Sequence, residues 1–302
     1  MSARHGRILE FRTAWRSRAG IVLTLSLFAC AQEASAQCQY EIEAIIEPPV
    51  CPPFFDPTLL YVTGLNNDGV VCGYYEHCVN SNLDVPFIWT AEDGIDTLLP
   101  LPPGFNSGRA NDVNDEGIVG GVISGLGIEH GFIWDDGEWT LIEPLPGGAW
   151  CEIFAINNAG TAVGFRSIGP GTHPYTAFVY KDGVITDLGT MIEPASIARD
   201  VNDQDVVVGY AGLQVNPIQQ GFVWQEGALT MLNDVPGTAS SDIVAINNHN
   251  VFIGNGSIQT RTGLVFRGAM WQADEPMLLP LLPGFASSNV NGIRDYLKTR
   301  IR

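Results

Sequence analysis

From residue 60 onward, apolar positions fall in short runs that alternate with small or polar residues, and Asn, Asp, Gly or Pro closes each run. Residues 109 to 148 show the plan. Arg109-Ala110-Asn111-Asp112-Val113 alternates and predicts a strand, and Asn114-Asp115-Glu116-Gly117 predicts a tight turn. Asn and Asp side chains bond to their own backbone in turns, and Gly accepts a positive φ. Ile118 to Ile123 is β-branched and glycine-spaced, a second strand. Ser124 to Glu129 reads as a variable loop, His130 to Trp134 as a third strand and Asp135-Asp136-Gly137 as another turn. Trp139 to Ile142 is a fourth strand, closed by Leu145-Pro146-Gly147-Gly148. No segment after residue 36 sustains a helical period.

The plan repeats. The first turn Asn recurs at Asn66, Asn114, Asn157, Asn202 and Asn247, and a sixth unit opens at Val290-Asn291-Gly292. Gly69, Gly117 and Gly160 close the first three of these turns. The third-strand aromatic recurs as Trp89, Trp134, Tyr180, Trp224 and Trp271, although in the fifth unit Ala269 replaces the Phe two residues before it. Four short strands in every ~45 residues is the signature of a propeller blade. A four-stranded sheet has two apolar faces, and stacking against its neighbours buries both. The expected fold is therefore an all-β propeller of four-stranded antiparallel blades, with five full repeats. Tyr40 to Ile45 and Ser287 to Asn291 supply partial terminal strands, which leaves five or six blades open.

Ala155-Ile156-Asn157-Asn158-Ala159-Gly160 with Val163-Gly164, then Ala177-Phe178-Val179-Tyr180, then Lys181-Asp182-Gly183 with Thr186-Asp187-Leu188-Gly189-Thr190, resembles the HAF repeat of bacterial extracellular repeat proteins. The His of the eponymous His-Ala-Phe run survives only at His130. The resemblance spans about residues 60 to 295. It implies an exported, propeller-like protein and transfers no catalytic residue.

The two ends leave the pattern. Arg4, Arg7, Arg12, Arg16 and Arg18 precede the apolar run Ile21 to Ala29, and Ala34-Ser35-Ala36 offers a cleavage site. Residues 1–36 therefore read as a secretory signal peptide, since the run is too short to span a bilayer. The rival reading is a lipoprotein signal anchored through Cys30. Residues 37–293 form the repeat domain. Residues 294–302 turn basic, either as a tail or because the reading frame is interrupted inside the sixth unit. The expected location is extracellular or periplasmic.

Charge and cysteines narrow the partners. The chain carries a net −18, and removing the five Arg and two Glu before Gln37 leaves −21. Such a surface repels nucleic acid and anionic lipid. The local cysteine pairings are Cys38–Cys51 and Cys72–Cys78, which leave Cys151 odd. No metal-ligand spacing is present, and no cofactor motif. Asp112 to Gly117 starts like a calcium loop, but Ile123 stands where the loop needs its twelfth-position Glu.

Asp112 and Asp200 break a position held elsewhere by Gly64, Ala155 and Ala245. They suit a polar contact to a neighbouring blade's backbone, and less well a cation or sugar site. No Ser/His/Asp constellation can be assembled from spacing. Loops carry function on rigid scaffolds, so the expected ligand face is built by the non-repeating segments between second and third strands. Tyr74, Tyr75, Glu129, His173 and Tyr175 are the candidate binding residues. The resulting expectation is a monomeric, non-enzymatic scaffold that binds a protein or a cell-surface polysaccharide. The alternatives are a secreted propeller glycan hydrolase and a non-functional product of an interrupted gene.

Overall fold

Every unit folds as its pattern dictates, into one sheet whose four strands pair antiparallel in chain order. The computed structural model describes residues 9–10, 26–27 and 59–293, apart from 78–79, 92–93, 170–173, 190–194, 213–218, 262, 273–274 and 282. The first blade comprises Leu60–Leu65, Val71–His77, Asn80–Thr90 and Gly94–Leu98. The second comprises Ser107–Val113, Val119–Gly125, Ile128–Asp135 and Glu138–Ile142. Cys151–Ile156, Ala162–Ser167, Tyr175–Lys181 and Val184–Gly189 make the third. Ser196–Val201, Val207–Ala211, Gln220–Gln225 and Ala228–Met231 make the fourth. Ser240–Ile246, Val251–Thr260, Gly263–Gln272 and Glu275–Leu278 make the fifth. Leu9–Glu10 also pairs with Ser26–Leu27. The fold is an all-β propeller with five four-stranded blades among the described residues.

Successive blades stack through their first strands, with apolar side chains between them. Phe132, Phe178 and Phe222 are fully buried in three successive interfaces. In the fourth interface Ala269 stands at that position, and Trp271 is wholly buried there with Val208, Leu232 and Ile243. Burying side chains of this size stabilises each interface by about 1.5–3 kcal/mol apiece.

One device recurs that the alternation alone does not reveal. Every first strand bulges at the same place: between Val62 and Gly64, Ala110 and Asp112, Ile153 and Ala155, Ala198 and Asp200, and Ile243 and Ala245. The bulge inserts an unpaired residue and bends the strand. It also explains the repeated second-strand glycines. A Cβ on Gly73, Gly121, Gly164, Gly209 or Gly254 would overlap the carbonyl oxygen of Tyr61, Arg109, Glu152, Ile197 or Asp242 respectively.

The first-turn Asn does more than shape its turn. Asn157 Oδ1 accepts from the backbone N–H groups of Ala159 and Thr161, while its Nδ2 donates to the Asn202 carbonyl of the next blade at 2.8 Å. Asn66, Asn114 and Asn202 make the same blade-to-blade donation to Asn114, Asn157 and Asn247, at 2.9, 2.9 and 3.2 Å. On the exposed side, Asp115 and Asp203 alternate with Asn67, Asn158 and Asn248 in a second belt of hydrogen bonds.

Three expectations need correction. Ser124 to Glu129 is no open loop, because the strands pair as far as Gly125 and Ile128 around a two-residue turn. Leu126 and Gly127 take φ values of 54° and 81°, the geometry that matches strand twist in a tight hairpin. Cys72 is a free, buried thiol in the interface with the second blade, so it forms no bridge with Cys78. Cys38 and Cys51 lie outside the described residues, as do Cys30 and Tyr40 to Ile45.

The sixth unit is also out of register. Ser288 N donates to the Phe266 carbonyl as Ser241 N does to that of Gln219, and Val290 packs at Gly268 as Ile243 does at Gly221. Ser288 thus occupies the seat of Ser241. Asn247 follows Ser241 by six residues, whereas Asn291 follows Ser288 by three. Asn291 therefore falls short of the turn position.

Candidate functional site

The first strands of the first three blades place Tyr61, Arg109 and Glu152 at equivalent positions before their bulges. The ends of the second and third strands rise beside them. Arg109 is the centre of the group. Its guanidinium lies 3.7 Å from the Asp84 carboxylate and 5.9 Å from the centre of the Tyr74 ring. Tyr74 stacks on Tyr61 at 4.7 Å, and the Tyr61 hydroxyl donates to Glu76 at 3.4 Å.

The carboxyl groups here are not ordinary. Burial raises the Glu129 carboxyl above the usual carboxylate range, Arg109 opposes the rise and Glu152 adds to it. Burial likewise raises Asp84, again opposed by Arg109, with Glu76 adding. Glu152 is held by Asn111, whose Nδ2 donates to its Oε1 at 3.0 Å and to the Ile153 carbonyl at 2.7 Å. Tyr175 lies within the electrostatic reach of Glu129, and its hydroxyl pKa is raised by burial first and then by that charge. It packs on Phe165 at 4.7 Å and on Trp150 at 6.4 Å.

Three of the sequence candidates thus lie around one cation: Tyr74 stacked under its guanidinium, Glu129 within its electrostatic reach, and Tyr175 within that of Glu129. Tyr75 is corrected. Successive strand residues point to opposite faces, and Tyr75 is buried with Leu60 and Phe87. His173 lies outside the described residues. Arg109 was not singled out by the sequence, and Asp84, Glu129, Glu143 and Glu152 stand in it as off-pattern acids with no visible convergence, because only the bulged register brings the first strands of successive blades and a third strand together.

Asp112 and Asp200 take no part. Asp112 Oδ2 accepts from Ile156 N at 3.0 Å, and Asp200 Oδ2 from Ile246 N at 2.8 Å. Each clamps the backbone of the next blade, as their off-pattern position suggested. Burial and the nearby Asp112 push the Asp200 carboxyl up to about 7. Among the described residues, no group of three or more His, Cys, Asp or Glu side chains could hold a metal ion. No helix there is long and apolar enough to cross a membrane.

No family model and no curated protein match the sequence. One solved structure similar to this chain is described as that of a "putative gluconolactonase". The two are 10% identical, with a TM-score of 0.42 over 77% of this chain and 83% of that one. That description names an enzyme, which runs against the expectation of a non-enzymatic chain, and that expectation is not carried further.

Proposed function

We propose that this propeller is a hydrolase acting on a carbohydrate at the mouth formed by Tyr74, Asp84, Arg109, Glu129 and Glu152. The observation that carries the reading is the setting of Glu129. Its carboxyl is raised by burial, and it shares Arg109 with Asp84. Carboxyl groups with shifted affinities around one cation are a candidate acid–base site. Glycoside hydrolysis needs one carboxyl that keeps its proton and a second that stays ionised.

In this reading Glu129 is the general acid. Glu152, oriented by Asn111, is the second carboxyl of the pair, and Arg109 acts on the site by its charge. The stacked Tyr74 and Tyr61 rings give a flat apolar platform for a sugar face. A polysaccharide, expected from the sequence as a ligand, becomes the substrate. The N-terminal basic and apolar segments support export, and the repeated phrase supports a kinship with HAF-repeat proteins.

The test is release of reducing ends from a panel of oligosaccharides. Native protein should turn over at least one of them, and Glu129→Gln should lose that turnover with an unchanged circular dichroism spectrum. A native chain inactive on the whole panel, or an undiminished Glu129→Gln, would overturn the reading.

A further inference from the structure

The residue that each first-strand bulge inserts is Thr63, Asn111, Phe154, Arg199 or Val244 in the five blades. In the first two blades this residue ties down the next blade. Thr63 Oγ1 donates to the Ala110 carbonyl at 2.6 Å, and Asn111 Nδ2 to the Ile153 carbonyl at 2.7 Å. Arg199 has donors enough for the same bond to the fifth blade, yet it turns back. Its guanidinium lies 4.3 Å over the ring of Phe154, the inserted residue of the preceding blade. Among the described residues it makes no hydrogen bond and no ion pair. Asp200 and Asp242 stand within its electrostatic reach. Both carboxyl groups are taken up by backbone, since Asp200 accepts from Val201 N and Ile246 N, and Asp242 from Asn255 N, each at 2.8 Å.

Stacking occupies the flat face of a guanidinium and leaves its N–H fork free in the plane, the geometry that takes a carboxylate through two parallel hydrogen bonds. The ring beneath it begins a line of aromatics. Phe154 lies 5.7 Å from Phe165, Phe165 lies 4.7 Å from Tyr175, and Tyr175 meets Trp150 at 6.4 Å. Phe165 is buried and spaces the others, whereas Phe154, Tyr175 and Trp150 are half-buried. Tyr175 is within the electrostatic reach of Glu129, and Glu152 pairs across strands with Phe165. The line therefore runs from the carboxyl pair of the mouth to Arg199.

We propose that the substrate of the mouth is an acidic oligosaccharide, and that Arg199 binds the carboxylate of a uronic acid unit whose neighbours lie along Phe154, Tyr175 and Trp150. Naming the substrate rests on the hydrolytic reading of Glu129, while the carboxylate site at Arg199 stands on its own geometry. The rings meet sugar faces, and the guanidinium reads the charge that a neutral sugar lacks. An acidic peptide would satisfy the guanidinium but bring no flat apolar faces to the rings. Arg199 sets which saccharide is held, and takes no part in breaking the bond.

The experiment is calorimetric titration of the native protein with tetramers of galacturonate, of mannuronate, of guluronate and of glucuronate alternating with N-acetylglucosamine, each beside its carboxyl-reduced neutral form. At least one acidic tetramer should bind about tenfold tighter than its reduced form, the worth of a charge-assisted pair of hydrogen bonds. Arg199→Met should remove that difference at an unchanged melting temperature. Should Arg199→Met misfold, Arg199→Lys keeps the charge without the fork and should retain only part of the difference. Equal binding of acidic and reduced forms, no binding of any tetramer, a folded Arg199→Met that binds as the native chain does, or a tetraglutamate bound as tightly as the best uronate would each overturn the proposal. Release of reducing ends separates it from the hydrolytic reading. Acidic tetramers bound through Arg199 but never cleaved would remove that reading and leave the site, and cleavage of neutral sugars alone would do the reverse.

Discussion

The side-chain amide of Asn157 donates to the carbonyl of Asn202 at 2.8 Å, one blade away, while its own carbonyl oxygen closes the Asn157 turn. One buried amide therefore serves both the hairpin and the blade interface. Leaving buried partners unsatisfied costs about 1–3 kcal/mol for each group. Asn157→Ala should lower the unfolding free energy by about 3 kcal/mol. Asn158→Ala, on the exposed belt, should change it by less than about 1 kcal/mol. Denaturant titration checks both, and equal losses would contradict the assignment.

The bulge makes a second contrast between two glycines. Gly121 faces the Arg109 carbonyl where a Cβ would overlap it. Gly117 has a φ of 81° and open space around it. Gly121→Ala should cost more than about 3 kcal/mol through forced backbone movement. Gly117→Ala should cost about 1 kcal/mol through strain at positive φ. Melting temperatures of the two variants would show the order.

Asp200 gives the pH dependence a sign. Its folded carboxyl lies at about 7, above the ordinary 3.8, because burial and Asp112 outweigh the Ile246 and Val201 N–H groups and Arg199. The folded state then holds the proton more tightly than the unfolded one. The resulting stability is fully present below the ordinary value and is lost as the pH rises through about 7. Asp200→Asn should flatten this fall in melting temperature between acid and neutral pH. A variant whose melting temperature tracks that of the native protein would refute the assignment.

The two described thiols should be inert in the folded protein. Burial raises Cys72 far above its ordinary value and Cys151 to about 12. The thiolate is the reactive form, so neither should take up iodoacetamide until denaturant unfolds the chain. Mass spectrometry of tryptic peptides reads the outcome, and rapid labelling of Cys72 under native conditions would contradict its place in the interface.

The strands, the turns and the interface Phe residues were legible because each depends on neighbours in the chain. Glycine, Asn and β-branched positions mark them directly. The bulge was not legible: its extra residue at Asn111 or Phe154 looks like one more step of alternation. For the same reason Tyr74 and Tyr75 looked equivalent, although one faces Arg109 and the other the core. The mouth around Arg109 joins residues from three blades, and no local spacing reports that. Ser124 to Glu129 looked like a loop because Gly125 and Gly127 read as breakers, where the second in fact permits a tight hairpin.

The hydrolytic reading makes Glu129 an acid whose proton affinity Arg109 holds down, so the pH dependence of turnover in Arg109→Met is the most direct test of it. A general acid must be protonated to act, and the rate falls as it ionises. Removing Arg109 should raise the affinity of Glu129 for its proton and move the alkaline limb of the kcat profile to higher pH. An unmoved limb in Arg109→Met, with Glu129→Gln still active, would contradict the account.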